Sequence, residues 1–145
     1  MANLIKYNVD TAFTEDTTFE TNLNSLASAG TAVGSVISNG TNLALLADLS
    51  IQLASFTAGA PDYVEIHVVP LLGDGTTYAD FFSAGPTFVG NVPVTNGASA
   101  KAFCLTNIVI LPGSFKFGLV NQAGASFAAS GQKVFYRLYD YNNNG

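Results

Sequence analysis

Charge is the scarcest thing in this sequence. Only 10% of its 145 residues are Asp, Glu, Lys or Arg, against about 25% in an average soluble domain, so side chains of another kind must cover much of the folded surface. The basic residues are Lys6, Lys101, Lys116, Lys133 and Arg137, spread along the chain. A nucleic-acid surface needs clustered basic side chains that displace counterions from phosphates. That dispersal, with a formal net charge of −5, argues against such a partner.

Cysteine and histidine occur once each, and tryptophan not at all. A single cysteine, Cys104, rules out an intrachain disulfide and any multi-cysteine metal site; within Ala102-Phe103-Cys104-Leu105 it reads as a small buried hydrophobe. A single histidine, His67, rules out a metal site built from several imidazoles. Catalysis by His67 with Glu65 or Asp62 would also need a nucleophile and an oxyanion site that no motif supplies. No glycine-rich loop follows a strand and opens a helix, so nothing is expected to cradle a phosphate. Asp74-Gly75-Thr76-Thr77-Tyr78-Ala79-Asp80 lacks the alternating acidic ligands of an EF-hand calcium loop and reads as a turn. The expectation is a protein that is not an enzyme, with no catalytic residue, metal or cofactor.

The start of the chain, Met1-Ala2-Asn3-Leu4-Ile5-Lys6, lacks the basic, apolar and small-residue order of a secretory signal, so synthesis in a cytoplasm is expected. An uncharged run over 21–47 is long enough to span a membrane, but Asn and Ser residues from Asn22 to Asn42 interrupt it, and no membrane partner is expected.

What is present is alternation. Leu43, Leu45, Leu49, Ile51 and Leu53 fall on one face of an extended segment, with Asp48, Ser50 and Gln52 on the other. Val64, Ile66 and Val68 alternate with Glu65 and His67; Phe115, Phe117 and Leu119 alternate with Lys116 and Gly118. Val134, Tyr136 and Leu138 alternate with Phe135 and Arg137. Each segment reads as a strand with one face buried. Between them stand breakers, among them Asn39-Gly40, Asp74-Gly75, Asn96-Gly97, Pro112-Gly113 and Gly131, which tolerate the positive φ that tight turns require. Only the stretch from Thr21 to Ala29 invites a helical reading. The fold class that follows is all-β: one β-sandwich domain over residues 1–145, jelly-roll-like, with about eight strands. A chain of this length buries about 68–70% of its unfolded surface and can hold together without metal or disulfide.

Two features point to protein contacts. Asp10, Glu15, Asp16 and Glu20 gather in the first twenty residues, while four of the five bases lie from Lys101 onward. Residues 1–20 are therefore expected to form an extended acidic arm that lies on a neighbouring subunit. Phe81 and Phe82 are adjacent, and neighbouring residues of an extended segment face opposite sides, so one of them should be exposed on the monomer or buried in a contact. Low charge and surplus aromatics lead to the expectation of a closed homo-oligomer.

Two stretches carry a resemblance. In residues 63–80 a Tyr-x-Glu-x-x-x-x-Pro strand (Tyr63, Glu65, Pro70) runs into an Asp-Gly-x-x-Tyr-x-Asp turn (Asp74, Gly75, Tyr78, Asp80). In residues 110–131, Leu111-Pro112-Gly113-Ser114-Phe115-Lys116 leads through Asn121-Gln122-Ala123-Gly124 to Ala128-Ala129-Ser130-Gly131. This order resembles small structural proteins of tailed bacteriophages, over about half of the chain. The resemblance implies a virion protein on the capsid surface that decorates and stabilises the shell, a homotrimer with the major capsid protein as partner. The alternative is a carbohydrate- or host-binding module of a phage tail or fibre.

Overall fold

A computed structural model describes residues 6–7, 12–40, 43–80, 86–95, 98–110 and 112–142. The elements in chain order are β1 (Lys6–Tyr7), β2 (Thr14–Glu15), α1 (Thr17–Leu23), β3 (Thr31–Val33), β4 (Ile37–Ser38), β5 (Leu46–Thr57), β6 (Tyr63–Pro70), β7 (Thr87–Pro93), β8 (Ala98–Val109), β9 (Ser114–Gln122), β10 (Lys133–Tyr139) and β11 (Tyr141–Asn142). β1 and β11 pair with each other; nine strands form two antiparallel sheets. One sheet runs β2-β10-β5-β8. The other runs β3-β9-β6-β7, with β4 also on β9.

β3 pairs with Gly118 to Val120 and β4 with Ser114 and Phe115, so the two are halves of one interrupted strand. That makes eight strand positions. Every connection between successive positions crosses from one sheet to the other except β6 to β7, a pair within one sheet. This is a jelly-roll order, and it agrees with the all-β sandwich of about eight strands expected from alternation and turn spacing.

The rows of alternation explain why the sheets close on each other. Leu49, Ile51 and Leu53 from β5, Val64, Ile66 and Val68 from β6, Phe115, Phe117 and Leu119 from β9, and Val134 from β10 are all buried in one cluster. Phe117 meets Phe115 edge-on at 5.4 Å and approaches Tyr136 of the opposite sheet at 6.5 Å. The helix α1 is too short to be stable alone. It is held by Phe19 and Leu23, one turn apart and fully buried, and by Asp16, whose carboxylate accepts the Phe19 amide at 3.0 Å as the N-cap.

Several expectations need correction. The helix starts earlier and overlaps the stretch from Thr21 to Ala29 only as far as Leu23, because Asp16 starts it and Ser25, at φ 56°, lies beyond its end. Leu43 and Leu45 are each 52% exposed, since the strand begins only at Leu46. Residues 1–20 are not an arm over their described part: β2 pairs with β10 through Thr14↔Tyr136 and Glu15↔Phe135, and Asp16 and Phe19 are buried. The physical reason is that Asp16 caps the helix and also accepts the Ser35 amide, at 3.0 Å, in the gap between β3 and β4. A Cβ on Gly34 would stand 2.3 Å from that carboxylate, so the gap is shaped around it. Cys104 is exposed, not core: with Phe103 and Leu105 packed against the core, alternation turns Cys104 outward.

The turn at Asp74 agrees with its reading. Asp74 Oδ1 accepts the amides of Thr76 and Thr77 at 3.0 and 2.9 Å, and Gly75 takes φ 72°. Hydrogen bonds from the Thr77 side chain, then from the Thr76 and Thr77 amides, hold the Asp74 carboxyl down at about 2.

Phe117 is fully buried between the sheets. Phe117→Ala should therefore destabilise the fold by about 3–5 kcal/mol, whereas Val109→Ala, at 72% exposure, should change it by less than about 0.5 kcal/mol. Urea denaturation of the three proteins checks this, and equal midpoints would contradict the assigned core.

Candidate functional site

The side chains that β2, β10, β5 and β8 turn away from the core form one continuous face. Register sets its rows: Glu15, Phe135, Ser50 and Cys104 lie side by side across four strands; Arg137 lies opposite Asp48; Lys133, Gln52 and Ala102 form a third row. Phe13, just before β2 and 43% exposed, adds a ring beneath Arg137, whose guanidinium carbon lies 4.9 Å from the ring centroid. Phe13, Ser50, Cys104 and Phe135 line a shallow hollow.

The charges on this face are matched within the chain. Asp48 was expected to face solvent; it is on the outer face but only 2% exposed. Its Oδ2 accepts from Arg137 Nε at 2.8 Å and lies 2.7 Å from a second guanidinium nitrogen. Its Oδ1 accepts the Asn107 amide at 3.1 Å and lies 3.0 Å from the Tyr139 hydroxyl. The Asn107 amide is available because β8 carries an extra residue there: Ala47 pairs with Ile108 but Leu49 with Leu105. Asn107 takes φ 58° at this bulge, a conformation that Asn tolerates better than most residues.

At the other end of the face, Lys133 Nζ bonds to Glu15 and lies 3.3 Å from Glu20, whose other oxygen accepts the Val134 amide at 3.1 Å. Two of the clustered acids of the first twenty residues, Glu15 and Glu20, thus meet a C-terminal base of their own chain. Of the interface residues predicted from sequence, Glu15 and Glu20 pair with Lys133 and Asp16 is buried. Asp10, Phe81 and Phe82 lie outside the described residues. Sequence reasoning missed Phe13, Asp48, Asn107, Phe135, Arg137 and Tyr139 as a group. An acid in mid-strand was the one available signal.

Partial burial, then the charge of Asp48, push the Cys104 thiol up. On the opposite sheet His67 faces outward as expected, with Nε2 3.4 Å from Glu65 and its ring edge-on to Phe88 at 5.5 Å. Among the described residues, no three His, Cys, Asp or Glu side chains are grouped to hold a metal ion. No described helix is long and apolar enough to cross a membrane.

The Lys133 hydrogen bond holds the Glu15 carboxyl below its ordinary 4.5, and the Glu15 bond raises Lys133 above 10.5. The contribution of Glu15 to stability is therefore present above pH 4.5 and lost as pH falls through its lowered value; that of Lys133 is present below pH 10.5 and lost as pH rises through its raised value. Lys133→Met should return the Glu15 pKa toward 4.5 in a carboxylate NMR titration; an unmoved Glu15 would contradict the pairing. Asp48→Asn should cost more, about 1–3 kcal/mol by denaturation, because it weakens the Arg137 bonds at a buried position.

No protein-family model matches this chain, and no curated protein matches it in sequence.

Proposed function

We propose that the chain is a structural virion protein that decorates a bacteriophage capsid and stabilises it by protein–protein contacts, not by catalysis. It acts as a closed homo-oligomer on the surface of the shell, with the major capsid protein as its partner. The bacteriophage assignment rests on the resemblance in residues 63–80 and 110–131; the jelly roll by itself hosts many functions and carries no argument.

The observation that supports a contact role is the outer face of the β2-β10-β5-β8 sheet. Its acids and bases are already paired with each other, and between them it presents Phe13, Phe135, Ser50, Gln52, Ala102 and Cys104. Interface centres are depleted in unpaired charge and enriched in aromatic rings, because covering such a surface strips water from few ions. A partner that covers this face leaves no isolated charge behind. Modest affinity per subunit then multiplies by symmetry on a shell. Among the described residues, the hollow has Ser50 and Cys104 beside its two rings, a poor set of polar groups for orienting a sugar.

Phe13→Ser with Phe135→Ser should weaken co-sedimentation with shells that lack the protein by about tenfold or more, while Val36→Ser, exposed near β4, should leave it unchanged. Undiminished binding by the double variant would reject this face. Wild-type protein that ignores shells but binds a glycan array would favour the host-binding reading.

A further inference from the structure

We infer that β8 is a homotypic pairing edge: two copies of the chain join through it, antiparallel about a two-fold axis, and merge two four-stranded sheets into one of eight strands. This deepens the self-association proposed above by naming its surface and its symmetry.

The other sheet margins are short or broken. β2 has two residues, β3 and β4 are separated at Gly34, and β7 ends in Pro93 and slips register between Gly90 and Phe88. β8 runs twelve residues, is hydrogen-bonded to β5 on one side, and on the other meets no strand among the described residues. A strand edge is a row of backbone donors and acceptors that pairs with any accessible strand, and monomeric proteins blunt it with charges, prolines or bulges. β8 contains no proline. Its one charged residue, Lys101, is turned inward, with Nζ 3.0 Å from the Phe56 carbonyl and 2.6 Å from that of Ser99. The bulge at Thr106 and Asn107 lies toward one end, leaving 98–105 without an extra residue.

The nature of this edge selects a second copy as its occupant. The chain carries a net charge of −5, so most surfaces brought against themselves by a two-fold axis would set like charges together. Along β8 the exposed side chains are Ala98, Ser99, Ala100, Ala102, Cys104, Thr106, Asn107 and Val109: all uncharged, and from Ala98 to Cys104 small enough for backbones to approach to the usual strand spacing of about 4.8 Å. An uncharged edge is its own electrostatic complement, and antiparallel pairing exchanges hydrogen bonds symmetrically, so the edge matches itself. A charged peptide finds no counter-charge there. The resulting sheet sets the two outer faces side by side.

Ala102→Lys and Ala102→Glu test this, because position 102 is exposed and a two-fold axis brings each new charge near its own copy. Wild-type protein should sediment as two copies, and each variant, with unchanged circular dichroism and melting, should self-associate about tenfold or more weakly. Mixing the two variants should restore the two-copy species. In wild-type protein, amide exchange over 98–105 should slow as concentration rises. A single-copy mass at every concentration would overturn the inference. So would an oligomer, including the trimer implied by the resemblance, that survives in both variants with β8 amides unprotected. Shell binding is read separately on wild-type protein: a wild type that stays a single copy yet co-sediments with shells would overturn this edge and leave the decoration reading standing.

Discussion

A chain that crosses between two sheets at almost every connection must satisfy the backbone polar groups of its crossings where it buries its apolar side chains. Here a few buried polar residues meet that constraint. Asn121 Nδ2 lies within 3.1 Å of the carbonyls of Leu26, Ala27 and Ala125, and its Oδ1 accepts the Ala123 amide. Asn39 clamps Ala44 from both sides, donating to its carbonyl and accepting its amide at 2.8 Å. Gln132 joins Ala54 to Ala128, and Asp16 joins the helix to Ser35. Each replaces water for backbone groups that would otherwise be buried unpaired, at a cost of about 1–3 kcal/mol each. The core rows can close over the sandwich ends only because these residues are in place.

The same economy extends to charge. With so few ionic side chains, the chain pairs several of them internally: Asp48 with Arg137, Glu15 and Glu20 with Lys133. What remains on the described outer face of the β2-β10-β5-β8 sheet is uncharged: the rings of Phe13 and Phe135 among Ser50, Gln52, Ala102 and Cys104. A surface of this kind is inexpensive to desolvate, which links the unusual composition to the proposed contact role.

The strand rows were legible because a strand records its own burial at period two, as at Val64, Ile66 and Val68. The reading failed where a tertiary feature shifted the count. Leu43 and Leu45 continue the row of Leu49 in sequence, but they precede the strand. Cys104 read as core because its neighbours are apolar; register alone puts it outside. The candidate face was barely legible, since Glu15 and Lys133 are 118 residues apart and Asp48 and Arg137 are 89 apart. One sequence gives no sign of which acid meets which base, so the N-terminal acids read as an arm reaching for a neighbour.

In the proposed role the protein works through the outer face of the β2-β10-β5-β8 sheet against a capsid. An electron cryomicroscopy reconstruction of tailed phage shells incubated with the purified protein tests this most directly. The account predicts jelly-roll density on the outside of the shell, with Phe13 and Phe135 at the contact. Density confined to the tail tip, or a shell contact made by the opposite sheet around His67 and Phe88, would contradict it.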